Sequence, residues 1–293
     1  MKVWRDQLSF WLMGATLMGV LIGLQASLKP WQAADKKLER LFYLPDAEYL
    51  KIASLGYREL IADLLWIQSI QIMGEKKVGE PSGRWLYRAL DIITTLDPKF
   101  VRAYEAGGLA LTTLVVLPEE SNRLMMKGMQ QNPTEWKLPF LIGINYYYEF
   151  YDDAKAAEYM SHAARLPGAP SASLAKIAAN FYVSGHSPQQ AVNLLAEMYE
   201  KATDENAKKL LEIRLKIVLT ERDFYVLEQA IERYRTQNGR HPPTLEALVD
   251  AGFLSALPVE PSGGRYLYDP KTGSVSSSEM TERLALTGRR RNR

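Results

Sequence analysis

Ser173 and Lys176 are the residues of this chain whose types and spacing come nearest to covalent chemistry. A serine three residues before a lysine can act as a nucleophile beside its base, and a Lys-Thr-Gly triplet, here residues 271–273, accompanies that pair in serine acyl-transfer enzymes. The Ser-x-Asn element that such enzymes place between the two is missing. Ser173 also falls in a predicted helical repeat and the triplet in a predicted turn, so the sequence does not favour catalysis here.

The sequence offers few side chains for metal or thiol chemistry. The chain has no cysteine, which excludes disulfides, thiolate nucleophiles, cysteine-ligated zinc and iron–sulfur clusters. Its three histidines, His162, His186 and His241, have no pair at metal-binding spacing, and we expect no metal and no other cofactor. Asp63 is an oddly placed charge inside an apolar helical stripe, where pairing with Arg58 or a neighbouring helix is favoured over catalysis. The sequence therefore predicts a protein that is not an enzyme.

A run of aromatic residues is the strongest candidate for binding. Five of the six residues from Tyr146 to Tyr151 are aromatic. Tyrosine combines a large apolar ring with a hydrogen-bonding tip, which suits it to protein interfaces. We therefore predict partner contacts at Tyr147, Tyr148 and Tyr151. The alternative is that two or three residues of this run lie in the core between helices.

The charge balance gives no general attraction to nucleic acid. The 36 basic and 34 acidic residues leave a net charge of +2, and we expect neither a nucleic acid nor a small molecule as ligand. The local exception is the tail at residues 279–293, which carries Arg289, Arg290, Arg291 and Arg293. We interpret this tail as a solvated end, with a contact to anionic lipid or an acidic partner as the alternative.

An uncharged stretch over residues 7–28 predicts a transmembrane helix. Its length corresponds to a helix of about 33 Å, enough to cross a hydrocarbon core of roughly 30 Å. Trp4 and Trp31 would then lie in the two headgroup regions. A cleaved signal peptide is the alternative, but its apolar region is usually shorter, and no good cleavage site occurs near the end of this one. Residues 1–6 would form a short flank and residues 29–45 a linker.

One side of this predicted helix carries small residues. They recur every fourth position, at Ala15, Gly19, Gly23 and Ser27. Such spacing lets two helix backbones approach closely, although glycine is also common in membrane helices without a partner. The basic residues that flank the span do not favour the expected orientation, but a short amino terminus before a lone span is typical of export of the downstream chain. We therefore predict a single-pass protein of a bacterial inner membrane with a periplasmic body.

From residue 46 onward the sequence predicts successive amphipathic helices. Asp46 can cap the first of them, which runs to Gly74, and Pro81-Ser82-Gly83 predicts a loop after it. The next part of the chain has an internal period. Pro98, Pro133 and Pro167 stand 35 and 34 residues apart. A small residue comes ten or eleven positions after each proline, and two apolar or aromatic positions recur with the same period. The recurring residues are Gly108, Gly143 and Ala178, then Leu111, Tyr146 and Phe181, then Leu124, Tyr159 and Leu194.

This pattern resembles the tetratricopeptide repeat (TPR) family over residues 84–203, with a degenerate unit before it at residues 46–80. The resemblance implies a 34-residue helix–turn–helix unit in which the small residue lets the two helices cross closely and the proline ends the second helix. The alanine expected in the second helix is displaced by one residue (Ala156, Ala191), the first tryptophan is absent, and no proline closes the third unit. The resemblance implies a TPR-like α-solenoid over residues 46–203, whose groove receives an extended or helical peptide.

A different module is predicted at residues 204–278. A long helix ends at Asn238-Gly239, a short helix runs from Thr244, and residues 265–276 have the pattern of a β-hairpin. This order is similar to the globular carboxyl-terminal part of type II secretion pseudopilins. The matching residues are Leu227–Tyr234, Asn238-Gly239, Pro243–Leu245, Leu248-Val249, Gly252–Leu254, Leu257-Pro258, Pro261, Gly263-Gly264, Tyr266 and Tyr268. The processing site of that family is missing, so a fibre subunit is not predicted.

Taken together, these patterns predict a mainly α protein with a membrane anchor helix, a TPR-like α-solenoid and a small carboxyl-terminal α+β pilin-like module. We predict a non-catalytic, membrane-anchored scaffold or adaptor whose groove binds protein partners in an envelope assembly, such as a secretion, pilus or extracellular filament system. The main alternative is a constitutive structural subunit of a larger membrane complex, held through the transmembrane helix. An enzyme is the remaining alternative, and it would require an active-site carboxylate pair.

Overall fold

Helices make up most of the protein, as the sequence predicts. The computed structural model of the chain describes Met18, residues 44–75, residues 78–280 and Arg283–Leu284. The described helices are α1 (Ala47–Ala53), α2 (Arg58–Met73), α3 (Glu80–Leu96), α4 (Val101–Thr113), α5 (Pro118–Gln131), α6 (Lys137–Asn145), α7 (Asp153–Arg165), α8 (Ser171–Ser184), α9 (Pro188–Lys201), α10 (Glu205–Asn238) and α11 (Glu246–Asp250). A π-helical turn, Tyr146–Phe150, extends α6, and two strands, β1 (Tyr266–Asp269) and β2 (Ser274–Ser277), form the one sheet among these residues.

The predicted membrane anchor is the part of the fold prediction that has to be corrected. No helix among the described residues combines the length and the apolar character needed to cross a membrane. The longest of them, α10, has 34 residues but carries charged side chains along its length, such as Lys209, Glu212 and Lys216. Of the predicted span at residues 7–28, the structure describes only Met18, and the rest lies outside the described residues.

The helices stack in the manner of a repeat protein. Each helix from α2 to α10 packs against the next, and several also pack against the next but one, α3 against α5, α4 against α6 and α8 against α10. Neighbouring helices of such a stack share their apolar sides, so the core runs along the stack. This arrangement agrees with the predicted α-solenoid.

The prolines and small residues of the repeat lie where the pattern predicts. Pro98, Pro133 and Pro167 each stand two residues beyond the end of a helix, α3, α5 and α7 respectively. Gly143 lies in α6, where a β-carbon would come within 3.2 Å of the Ala156 carbonyl oxygen of α7. The small residue therefore allows α6 and α7 to approach through their backbones.

The amino-terminal part differs from its sequence prediction in two places. The segment from residue 46 forms two helices, because the chain turns at Leu55 and Gly56, whose φ angles are 49° and 99°. Asp46 does cap the first of them, and its carboxylate accepts the Glu48 backbone N–H at 2.9 Å. Pro81 belongs to the first turn of α3, not to the predicted loop, because proline suits a position where the helix leaves its N–H groups unbonded.

The apolar core has three parts along the chain. The first lies among α2 to α6, the second among α7 to α10, and Tyr146 packs against both. The third joins the carboxyl-terminal half of α10, from Phe224 to Ile231, to α11 through Leu248 and to the hairpin through Val275. The protein is therefore continuous in packing from the repeats into the carboxyl-terminal module.

The carboxyl-terminal module contains the predicted helix end and the predicted hairpin. Gly239 ends α10 with a φ of 70°, and its N–H donates to the Arg235 carbonyl at 2.8 Å. The strands pair antiparallel with Tyr266 opposite Ser277. The Tyr268 hydroxyl donates to the Pro242 carbonyl at 2.9 Å and so fixes the hairpin to the segment just after α10.

Candidate partner-binding face

Alternate helices α4, α6, α8 and α10 lie in a row. Polar contacts at equivalent repeat positions join α4 to α6 and α8 to α10, and the ring of Tyr147, just after α6, contacts that of Phe181 on α8. The Thr112 hydroxyl of α4 donates to the Asn145 amide oxygen of α6 at 3.2 Å. The Arg214 guanidinium of α10 donates to the Asn180 amide oxygen of α8. The partners stand 33 and 34 residues apart in the chain, about one repeat. The same side of each helix therefore faces its neighbour in the row.

Asn145 holds three helices together in the middle of this row. Its side chain is buried, and its amide nitrogen donates to the Ser121 hydroxyl at 3.0 Å and to the Asn122 amide oxygen at 2.8 Å. The Ser121 hydroxyl donates in turn to the Gly108 carbonyl at 2.7 Å. A fully bonded buried network of this kind fixes α4, α5 and α6 in one mutual orientation.

Large apolar side chains flank the row and are exposed. Leu109 on α4 is 49% exposed, Tyr148 is 59% exposed and Ile213 on α10 is 61% exposed. Lys176 is an exposed residue on α8 and Arg214 is half-buried on α10. We refer to the surface formed by Leu109, Tyr148, Lys176, Ile213 and Arg214 as the binding face.

The predicted contact residues Tyr147, Tyr148 and Tyr151 differ in their surroundings. Tyr147 is half-buried, with its ring 4.5 Å from that of Phe181 on α8. Tyr148 stands edge-on to Tyr147 at 4.8 Å and is largely exposed. Tyr151 is 57% exposed at the end of the turn. The structure thus places Tyr147 mainly between helices, and Tyr148 and Tyr151 on the surface.

A wide helical turn accounts for this division. Residues Tyr146–Phe150 are π-helical, and the Asp152 N–H reaches back to the Tyr146 carbonyl at 3.0 Å. Tyr151 then takes a left-handed conformation with a φ of 56°, which costs a residue other than glycine on the order of 1 kcal/mol. Turns of both kinds are frequent at functional sites. They present two aromatic rings to solvent beside the contacts between α6 and α8.

The binding face carries positive charge. Burial lowers the pKa of Arg214, and the guanidinium remains a cation at neutral pH. Its Nε and the Ser184 hydroxyl of α8 have no hydrogen-bond partner among the described residues, but both atoms are buried and are not part of the exposed surface. At the other end of the row, Lys137 forms an ion pair with Glu105 at 3.2 Å. The face is therefore suited to accept carboxylate or carbonyl oxygens.

Sequence reasoning did not single out Arg214. It placed the residue in a separate module, although Thr112, Tyr146, Asn180 and Arg214 succeed one another at intervals of 34 residues. Extending the repeat period into α10 would have identified the position. The residue type differs at each of these four positions. The period therefore predicts where such a residue lies in the repeat, but not which side chain it carries.

A second concentration of polar groups lies where the hairpin meets α10. Glu260 is 3% exposed, and its carboxylate accepts the backbone N–H groups of Ser262 at 2.6 Å and Gly264 at 3.1 Å. It also accepts the Ser277 hydroxyl of β2 at 3.1 Å and the Thr220 hydroxyl of α10 at 3.4 Å. These hydrogen bonds satisfy the buried carboxylate and attach the hairpin to the helix.

Two further buried carboxylates also attach neighbouring segments to α10. Asp223 accepts the Tyr266 hydroxyl at 2.8 Å, and burial together with this bond raises the pKa of Tyr266. Glu221 accepts Nε of Arg283 at 3.1 Å and the Leu284 N–H at 2.5 Å. Arg283 and Leu284 are thus bonded to α10. No local signal in the sequence indicates these partners, which lie about 40 to 60 residues apart in the chain.

The remaining candidate residues stay apart from these two places or outside the structure. His162 and His186 are exposed, as is Asp63 on α2. In the part of the chain that the structure describes, no group of three or more histidine, aspartate or glutamate side chains could hold a metal ion. Lying outside that part are the small residues of the predicted span, Ala15, Gly19, Gly23 and Ser27, and the tail arginines Arg289, Arg290, Arg291 and Arg293.

Comparisons with known proteins add no family to this description. No protein-family model matches the chain, and comparisons with curated proteins and with solved structures find no match. The likeness to tetratricopeptide repeats and to pseudopilins therefore depends on the residues of this sequence alone.

Proposed function

We propose that this protein is a non-catalytic scaffold that binds a segment of another protein along the binding face, in an envelope assembly. The observation that carries the proposal is the row of exposed apolar side chains beside cations on helices that are fixed to one another. Side chains of this kind on a rigid support are typical of the centres of protein interfaces.

The chemistry of the face indicates the chemistry of the partner. Leu109, Tyr148 and Ile213 would bury apolar side chains, and Lys176 and Arg214 would bind carboxylates. Both side chains are cations, which bind carboxylates through charge-assisted hydrogen bonds. The proposed ligand is therefore a peptide segment, helical or extended, that combines apolar with acidic residues.

The stiffness of the face favours binding without rearrangement. Asn145 and the Tyr147–Phe181 contact hold neighbouring helices before any partner arrives. A preformed surface loses less conformational entropy on binding than a flexible one. The periplasmic location predicted for the body is part of the proposal, and the resemblance of the carboxyl-terminal module to pseudopilins is its support.

Photo-crosslinking in the cells of origin tests the proposal. Tyr148 is replaced by p-benzoylphenylalanine in the full chain, and Glu200, an exposed residue on α9, is replaced in a matched control. We expect a discrete adduct with one protein from position 148 and none from position 200. Equal adducts from both positions, or none from either, would contradict a partner on this face.

Two further variants separate recognition from folding. Ile213→Asp and Lys176→Glu, each combined with the reactive group at position 148, should lower the adduct yield about tenfold, equivalent to about 1.4 kcal/mol of binding free energy. Their thermal unfolding should stay close to that of the parent chain because both side chains are exposed. Full adduct yield from both variants would show that the contact does not use the apolar and cationic groups named.

A further inference from the structure

The outer side of α1 and α2 is apolar and exposed. Eight large apolar residues of this region are 48–87% exposed, and we refer to their surface as the amino-terminal face. They are Tyr49, Ile52, Leu55, Tyr57, Leu60, Leu64, Ile67 and Ile70. Exposed apolar residues concentrated in one region, as opposed to scattered singly, are typical of a place where something else binds.

The opposite side of α2 is already used. Ala62 and Ser69 are fully buried against the first core, so the helix cannot turn its outer stripe inward. Leu60, Leu64 and Ile67 succeed one another at intervals of four and three residues and therefore line one side of the helix. The exposed stripe is about 10 Å long from Leu60 to Ile67, at 1.5 Å per residue.

The chain that precedes α1 begins beside this face. Leu44 is 7% exposed in the first core, and its carbonyl accepts a bond from Arg88 of α3 at 3.4 Å. Residues 31–43 lie outside the described residues, and they are joined to Leu44, which is held in the core next to α1. A short tether of this kind gives an effective concentration in the millimolar range.

The composition of residues 31–43 complements the face. Trp31, Ala34, Leu38 and Leu41 recur at intervals of three and four residues. Between them stand three basic residues, Lys36, Lys37 and Arg40, and two acidic ones, Asp35 and Glu39. The net charge of +1 is opposite in sign to that of two exposed residues beside the stripe of α2, Glu59 and Asp63. An apolar pattern of helical period with a net positive charge suits an apolar stripe with acidic residues along its edge.

We propose that residues 31–43 of the same chain bind the amino-terminal face, with Leu38 and Leu41 against Leu64 and Ile67. The apolar side that the first helix pair leaves uncovered is then buried by the chain itself. This binding is independent of the proposed function, because the binding face lies on α4, α6, α8 and α10.

Disulfide formation tests the proposal directly, because the natural chain has no cysteine. Full-length chains carrying Leu41→Cys with Leu64→Cys are compared with chains carrying Leu41→Cys with Asn193→Cys, an exposed position on α9. Mild oxidation at low protein concentration should close an intramolecular disulfide at least tenfold faster in the first pair, read by intact mass and by mobility on non-reducing gels. Equal rates in the two pairs would overturn the proposal.

A mixture of the two single variants distinguishes the second possible occupant. If Leu41→Cys and Leu64→Cys chains join to each other as fast as the double variant closes on itself, the face binds a second copy and the proposal is wrong. Adducts from position 148 in the photo-crosslinking experiment should be the same in all these variants, so failure of one proposal is distinguishable from failure of the other.

Hydrogen exchange gives a test without cysteines. Leu64→Asp should increase the exchange rate of amides in residues 31–43 at least tenfold and leave those of α6 to α9 unchanged. Gln71→Asp, an exposed polar position on the same helix, is the matched control and should change neither. Unchanged exchange of residues 31–43 in Leu64→Asp would contradict the contact, and faster exchange throughout α6 to α9 would assign Leu64 to the stability of the fold instead.

Discussion

The two ends of the helical stack differ in how their terminal helices are covered. At the carboxyl-terminal end, the hairpin and Arg283–Leu284 cover α10, and the buried carboxylates of Glu221, Asp223 and Glu260 all have hydrogen-bond donors. At the amino-terminal end, the described residues leave α2 with an exposed apolar stripe. Repeat proteins need a polar surface at each terminal unit, because the shared core stops there. The chain supplies that surface with described residues at one end only.

This difference indicates how such a stack can be ended. A polar module offsets its desolvation only when each buried group has a partner, and Glu260 with its four donors meets that condition. An apolar end requires no partners but must be covered by apolar side chains. Residues 31–43 are proposed to provide that cover.

The largest expected effect comes from breaking the carboxyl-terminal end. Glu260→Ala removes the acceptor of two backbone N–H groups and of the Ser277 hydroxyl, and unsatisfied buried donors cost about 1–3 kcal/mol each. We expect the free energy of unfolding to fall by about 3 kcal/mol, measured by urea denaturation. Glu279→Ala, at an exposed position, should change it little. Equal midpoints for Glu260→Ala and the parent chain would mean that this end is not held by its buried carboxylate.

The next effect lies between the two ends. Asn145→Ala leaves the buried groups of Ser121 and Asn122 without their partner, and we expect a loss of about 2 kcal/mol in the free energy of unfolding. Asn193→Ala, on the exposed side of α9, is the matched control. The measurement is again urea denaturation, monitored by circular dichroism. A loss as small as that of the control would show that the buried network does not couple α4, α5 and α6.

A matched pair of leucines compares the two ends directly. Leu64 on α2 is 54% exposed and Leu267 on β1 is 43% exposed. If residues 31–43 cover only the amino-terminal face, Leu64→Gln should lower the free energy of unfolding by about 1 kcal/mol, and Leu267→Gln by less than about 0.5 kcal/mol. Thermal or urea unfolding of the two full-length variants decides this. The reverse order would remove the proposed difference between the ends.

The smallest effect concerns an ion cluster on α7 and α9. The hydrogen bonds from Arg165 and Lys201 lower the pKa of Glu197 from 4.5 to about 2. Because the folded pKa lies below the unfolded one, the folded state binds fewer protons, so this stabilisation is complete above about pH 5 and is lost as the pH falls toward 2. The groups are partly exposed, so we expect less than about 1 kcal/mol.

Comparison of Glu197→Gln with the parent chain measures this contribution. The difference between their urea midpoints should be present at about pH 6 and should shrink as the pH is lowered toward about 2.5. Glu200→Gln, an exposed neighbour, should show no such dependence on pH. A difference of constant size at all pH values would rule out titration of Glu197 as its source.

Features with a local physical cause could be predicted from the sequence. Pro98, Pro133 and Pro167 end helices because proline has no N–H and clashes with the preceding turn, and both facts are visible in one residue. The Asp46 cap and the glycine at the end of α10 are local in the same sense. The prediction for Pro81 is wrong because proline suits both a loop and a first helical turn, and the residues around it do not decide between them.

Features that depend on distant partners could not be predicted in this way. Glu260 looks like a solvated loop residue until the fold brings Ser277 and Thr220 to it. The sides taken by Tyr147 and Tyr148 depend on the π-helical turn, which changes the angle between successive residues from the one that an α-helical pattern assumes. The aromatic run could therefore be recognised as a candidate site, but not which of its rings face outward.

The wide turn at Tyr146–Phe150 also bears on how the repeat length can vary. A π-helical turn holds more residues than an α-helical turn, so a segment of this kind can take up an added residue without displacing the helices on either side. Removal of one residue between positions 146 and 150 should return α6 to ordinary helical winding and turn the aromatic rings away from their present direction. A change in sequence length at this point would thus redirect the exposed rings of Tyr148 and Tyr151 while leaving the architecture intact.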